Sequence, residues 1–94
     1  MDLNTKIEFV LGLHLLPSQK IGLITLIYAG KPLTTVELNS INNCTKTFEN
    51  YKTLFADFID SGLISLQPMK DSRGVTRQHF VLDIAILESL IEEI

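Results

Sequence analysis

Tryptophan is absent from this 94-residue chain, cysteine occurs once, proline three times and glycine five times. The lone cysteine, Cys44, excludes an intrachain disulfide framework and fits a reducing, cytoplasmic home. With His14 and His79 it makes too small and too dispersed a set for a metal site. The glycines are scattered along the chain and form no phosphate-cradling loop. The expectation is therefore a protein with no cofactor and no metal, and not an enzyme. Long apolar runs are also missing. Lys20, Gly22, Thr25 and Gly30 interrupt the richest stretch, so nothing approaches the ~20 apolar residues of a membrane span. The opening residues Met1 to Lys6 lack the basic region and small-residue cleavage site of a secretory leader. Positive charge is scarce too. Eight Lys and Arg face eleven Asp and Glu, for a net charge of -3. That balance argues against indiscriminate nucleic-acid binding but leaves room for a local basic patch.

What is abundant is apolar side chain, 46% of residues, with a mean hydropathy of +0.25. A chain of this size is one domain, 1–94, and buries roughly 64% of its unfolded surface. So apolar a composition calls for a dense core, a buried dimer interface, or both.

Local signals divide the chain. Thr5 and Glu8 have capping-box spacing and predict a first helix over 5–16. Pro17 breaks it, and Ser18 can cap a second helix over 19–29 that Gly30 stops. Thr34 and Glu37 form a second capping box, with Leu33 and Leu38 at staple positions, for a short helix over 35–41. Asn42 and Asn43 favour a turn. Phe48, Tyr51, Leu54, Phe55, Phe58 and Ile59 recur at helical spacing and predict a long helix over 45–61, ended by Gly62. Two β-prone segments, 63–67 and 78–82, flank a charged tip. Asp83 can cap a last helix reaching Ile94. The fold class is α+β, mainly α. The order of elements is that of a winged helix-turn-helix with an extra N-terminal helix, a two-stranded wing over 63–82 and a C-terminal helix.

In such a unit, residues 34–61 place the second helix against a DNA major groove, where its N-terminal residues reach base edges. Those residues are Thr45, Lys46, Thr47, Glu49, Asn50 and Thr53. Asn50 suits adenine, and Lys46 or Lys52 suits phosphate or guanine. Lys70, Arg73 and Arg77 place three positive charges around Asp71 at the wing, where arginine suits phosphate forks and narrow minor grooves. The alternative is plain: a solvated helix face and a solubilising loop held by an Asp–Arg pair. Cys44 reads as a small residue in a turn, and His14 as a partly buried structural histidine. Glu88, Glu92 and Glu93 read as a solvated helix face.

Gly62-Leu63-Ile64-Ser65, Lys70-Asp71-Ser72-Arg73-Gly74 and Gln78-His79-Phe80-Val81-Leu82 resemble the end of the recognition helix and the wing of MarR-type winged-helix regulators. Leu33-Thr34-Thr35-Val36-Glu37-Leu38 resembles that family's entry to the helix-turn-helix. The resemblance spans about residues 18–82. It implies a wing-tip role for Arg73 and a reading face over 45–53. It also implies pairing through the terminal helices, here 1–16 and 83–94, whose apolar residues include Ile7, Val10, Leu11, Leu87, Leu90, Ile91 and Ile94. The chain departs from the family in its shorter terminal helices and its less basic recognition helix. Small phage, plasmid and archaeal winged-helix proteins, including plasmid-partition adaptors, are similar in size.

The leading expectation is a homodimeric, sequence-specific regulator of transcription that binds double-stranded DNA. The alternatives are a protein-interaction module on the same scaffold and a plasmid or phage DNA-partition or replication accessory protein.

Overall fold

The computed structural model describes residues 1–93; the expected interface residue Ile94 lies outside them. The chain is α+β and mainly helical, with one two-stranded antiparallel sheet. Its helices are α1 (Leu3–Leu11), α2 (Pro17–Ala29), α3 (Thr35–Asn42), α4 (Phe48–Leu54), α5 (Ala56–Asp60) and α6 (Ile84–Glu92). Its strands are β1 (Ile64–Lys70) and β2 (Thr76–Leu82), which lie between α5 and α6. No helix among the described residues is long and apolar enough to cross a membrane.

Several helix ends differ from the sequence expectation. Asp2, not Thr5, caps α1 by accepting from the Thr5 N–H at 2.8 Å. The helix stops at Gly12 instead of running to residue 16. Lys20 Nζ donates to the Leu11 carbonyl at 2.8 Å and satisfies one of the orphan acceptors there. Pro17 opens α2 at its first position rather than merely ending what precedes. It needs no N–H there, so the cost of proline vanishes. Gln19 Oε1 accepts from the Leu16 N–H, and Gln19 Nε2 donates to the Leu54 carbonyl at 3.3 Å.

The α3 start follows the expectation fully. Thr34 Oγ1 accepts from the Glu37 N–H, and Glu37 Oε1 accepts from the Thr34 N–H. Asn43 ends α3 in the left-handed region, at φ 51°.

The expected long helix over 45–61 is two pieces. Thr47 and Asn50 form a capping box that delays its start to Phe48. The backbone distorts at Phe55, with φ -97° and ψ 10°. Bonds from Phe55 N–H to the Tyr51 carbonyl and from Ile59 N–H to the Phe55 carbonyl span this joint.

β1 and β2 are longer than expected and pair in register from Ile64–Leu82 to Lys70–Thr76. β2 has a second neighbour. Leu33 and Phe80 exchange both backbone bonds, at 3.2 and 2.8 Å, so the residue just before α3 adds a third strand-like step. That bridge fixes the hairpin to the start of α3.

Phe80 stands at the centre of the core. Its ring lies 5.5 to 5.8 Å from those of Phe48, Tyr51 and Phe55. Around them Val10, Leu23, Leu26, Leu33, Leu38, Ile64 and Leu87 are fully buried. α1 and α6 pack together and close one side of this core.

Candidate nucleic-acid interface

Three elements meet at one groove of about 310 Å³. The start of α3 contributes Thr34, Thr35 and Val36. The start of α4 contributes Phe48, and β2 contributes Thr76, Arg77 and Gln78. The Leu33–Phe80 bridge explains the convergence, because it ties β2 to the entry of α3. Val36 is exposed although apolar. Of the residues around this groove, only Arg77 was among the sequence expectations. The others were read for structure alone, Thr34 as a helix cap and Phe48 as part of an apolar stripe.

The residues expected to read bases are placed differently. Thr45 and Lys46 precede α4 rather than lying on it. Thr47 is its cap, and its N–H donates to Asn50 Oδ1 at 3.0 Å. Asn50 thus commits one lone pair of Oδ1 to the helix end. Thr53 is exposed on the helix. Lys52 Nζ sits 3.9 Å from Glu49 Oε2 and 5.6 Å from the centre of the Phe48 ring. Glu49 itself is largely exposed. The outer face of α4 therefore carries one acid and one base, close to neutrality.

Asn39 organises the turn between α3 and α4, a role the sequence did not announce. Its Nδ2 donates to the Lys46 carbonyl at 2.8 Å, and its Oδ1 accepts from the Lys46 N–H at 3.1 Å. The same oxygen accepts from Tyr51 Oη at 2.7 Å and Cys44 Sγ at 3.3 Å. A polar residue in a helix interior is the one available hint of such a role. Burial above all, then the Cys44 sulfur, pushes the Tyr51 hydroxyl well above its usual range. The Tyr51 hydroxyl, with the Lys46 N–H, pulls the Cys44 thiol below its ordinary 9.0.

The hairpin tip is built on Asp71. Its Oδ1 accepts from the Arg73 and Val75 N–H groups at 2.9 and 3.0 Å. Its Oδ2 accepts from Arg77 Nε at 3.1 Å. The Val75 N–H foremost, with the Arg73 N–H and Arg77, holds the Asp71 carboxyl below the ordinary aspartate value. Gly74, at φ 80°, makes the turn in a region that disfavours side chains. Arg77 is thus a strut, while the exposed Arg73 and Lys70 have no ion-pair partner among the described residues.

The expected dimer residues also divide. Val10 and Leu87 are buried within the chain and are not available to a partner. Ile7 and Ile91 are half-buried against the same core. Leu11 and Leu90 are exposed. Periodicity marked all of them alike, since an apolar stripe serves a core or an interface equally well. His14 is exposed rather than partly buried; the buried histidine is His79.

Comparison with protein-family models, curated proteins and solved structures returns no match.

Proposed function

We propose that this chain is a winged helix-turn-helix protein that binds double-stranded DNA, with α3 and α4 as the helix-turn-helix and β1–β2 as the wing. One observation carries the reading: the α3 start, the α4 start and β2 share a single groove beside the hairpin. The Leu33–Phe80 bridge supports it, because it sets the hairpin's angle to α3. The free charges supply the electrostatics. Arg73 and Lys70 lie on the hairpin, whereas α4 offers Lys52 already paired with Glu49. Affinity then comes chiefly from the wing, and α4 positions rather than dominates.

In this reading two copies pair through α1 and α6 and present their α4 helices about one DNA turn, about 34 Å, apart. The dimer reads a near-palindrome and acts as a regulator of transcription. The exposed Leu11 and Leu90 support that pairing.

The exposed acid on α4 favours one other reading, a protein-interaction module on the same scaffold. Salt separates the two. A gel shift against promoter fragments of the source genome is expected to show binding at low salt that weakens steeply as salt rises. Arg73→Ala is expected to reduce the slope of log K on log salt by about one. No shift at low salt ends the DNA reading.

A further inference from the structure

α2 is apolar nearly all round, and a helix of that kind is expected to be covered on every side. Its inner sides are covered. Leu23, Leu26 and Ile27 are buried in the core, and Gly22 lies against the Phe55 ring. Its outer side is not. Ile21 is 52% exposed and Tyr28 73%. Pro17 is exposed too, and Ile24 is half-buried. At 3.6 residues per turn these four fall within about 60° of arc and run the length of the helix. Successive members lie four, three and four residues apart. That is the spacing of a coiled-coil seam, the pattern by which one helix packs along another.

The polar side chains of α2 leave this strip without charge. The helix holds no acidic residue. Lys20, its one cation, donates to the Leu11 carbonyl at the end of α1. Gln19 is spent on the Leu16 N–H and the Leu54 carbonyl, and the Thr25 hydroxyl on the Ile21 carbonyl at 2.7 Å. A partner that brought charge to the strip would lose hydration and gain no ion pair. What fits is a second uncharged helix with the same spacing, and another α2 is one by symmetry. Two antiparallel copies interdigitate when a two-fold axis passes at the level of Gly22 and Leu23. Ile21 then packs on the partner's Ile24, and Pro17 on the partner's Tyr28. The tyrosine hydroxyls lie at the two ends, where water reaches them.

We propose that two copies of this chain associate through antiparallel pairing of their α2 helices, with Ile21, Ile24 and Tyr28 at its centre. The seam uses no residue of α1 or α6 and none of the groove between α3, α4 and β2. It therefore depends neither on the DNA reading nor on pairing through the terminal helices. A helix of 13 residues offers less than the roughly 800 Å² per partner of a standard interface, so the association is weak and concentration-dependent.

The test is sedimentation of the full chain carrying Leu11→Glu and Leu90→Lys, which removes pairing through α1 and α6. The expected result is a monomer at micromolar and a dimer at millimolar concentration. Adding Ile21→Lys and Tyr28→Lys is expected to raise the dissociation constant about tenfold or more. Both sites are exposed, so the unfolding midpoint should hold. The two lysines also bring the net charge of -3 nearer to zero, so general repulsion cannot cause the loss. Cross-linking gives the direction. In a Cys44→Ser background, Ile21→Cys is expected to link to its copy through a short bismaleimide, the two sites lying about 4–5 Å apart along the axis. Tyr28→Cys, with its copies about 16 Å apart along the axis, is expected not to link. A chain that stays monomeric at millimolar concentration overturns the proposal. So does association unchanged by the two lysines, or cross-linking of the Tyr28→Cys variant. None of these outcomes bears on DNA binding, which the gel shift reads separately.

Discussion

Gly22 and Phe55 approach so closely that a Cβ on Gly22 would sit 2.4 Å from the Phe55 ring. Gly22 is buried on α2, and Phe55 is the joint between α4 and α5. The ring is fully buried among Tyr51, Phe58 and Phe80, so it has little room to retreat. Gly22→Ala should therefore destabilise the fold by about 1–3 kcal/mol, although alanine is ordinarily the better helix former. Denaturant unfolding of the variant checks this. A gain in stability would show that the Phe55 ring moves freely.

Asn39 ties the α3–α4 turn to the body of the domain through Lys46 and Tyr51. Asn39→Ala removes both partners of the Lys46 peptide groups and the shortest acceptor of the Tyr51 hydroxyl. The expected loss is about 2–3 kcal/mol, the cost of leaving partly buried polar groups unsatisfied. Amide exchange at Lys46 should accelerate far more than exchange in α6. Tyr51→Phe should have a second consequence. Without the Tyr51 hydroxyl the Cys44 thiol loses the main cause of its lowered pKa. Its alkylation by iodoacetamide at neutral pH should therefore slow.

The Asp71 carboxyl links the order of the hairpin to pH. Its pKa in the folded chain lies below the ordinary 3.8. The stability it contributes is thus fully present above that value and is lost as pH falls through the folded pKa. Acidification below about pH 4 should release the Arg73 and Val75 amides and free the Arg77 guanidinium. Proton NMR of those two amides reads the transition. Asp71→Asn should abolish the pH dependence while its Oδ1 keeps the two amides, and Asp71→Ala should leave the hairpin loose throughout.

Legibility in the sequence followed range. The Thr34–Glu37 capping box, the Asn43 turn and the Asp83 cap were all readable, because each is settled within four residues. The Leu33–Phe80 bridge was not readable. It joins residues far apart in sequence, and no local pattern records a single pair of backbone bonds. The start of α4 slipped from Thr45 to Phe48 because four hydroxyl or amide residues compete to cap it. Only their neighbours, Asn39 above all, decide that Thr47 wins. The candidate site suffered most from this slip. It moved Thr45 and Lys46 off the helix and turned Asn50 into a capping residue. An Asp–Arg pair in the hairpin was readable as the alternative, but only the folded hairpin shows that Arg77 is its arginine.

The terminal helices offer the sharpest separation of core from interface. Val10 and Leu87 are buried, and truncating either to alanine should cost about 2–5 kcal/mol for Leu87 and somewhat less for Val10. Leu11 and Leu90 are exposed, and a charge at either leaves the monomer's core untouched. Leu11→Glu and Leu90→Lys should therefore unfold at nearly the wild-type denaturant concentration when the chain is dilute. If two copies pair through α1 and α6, the same substitutions should shift the sedimenting species from dimer to monomer at micromolar concentration. If the chain binds DNA as proposed, they should also weaken that binding by halving the number of wings on each site. A chain that sediments as a monomer before any substitution would assign these leucines to ordinary apolar surface.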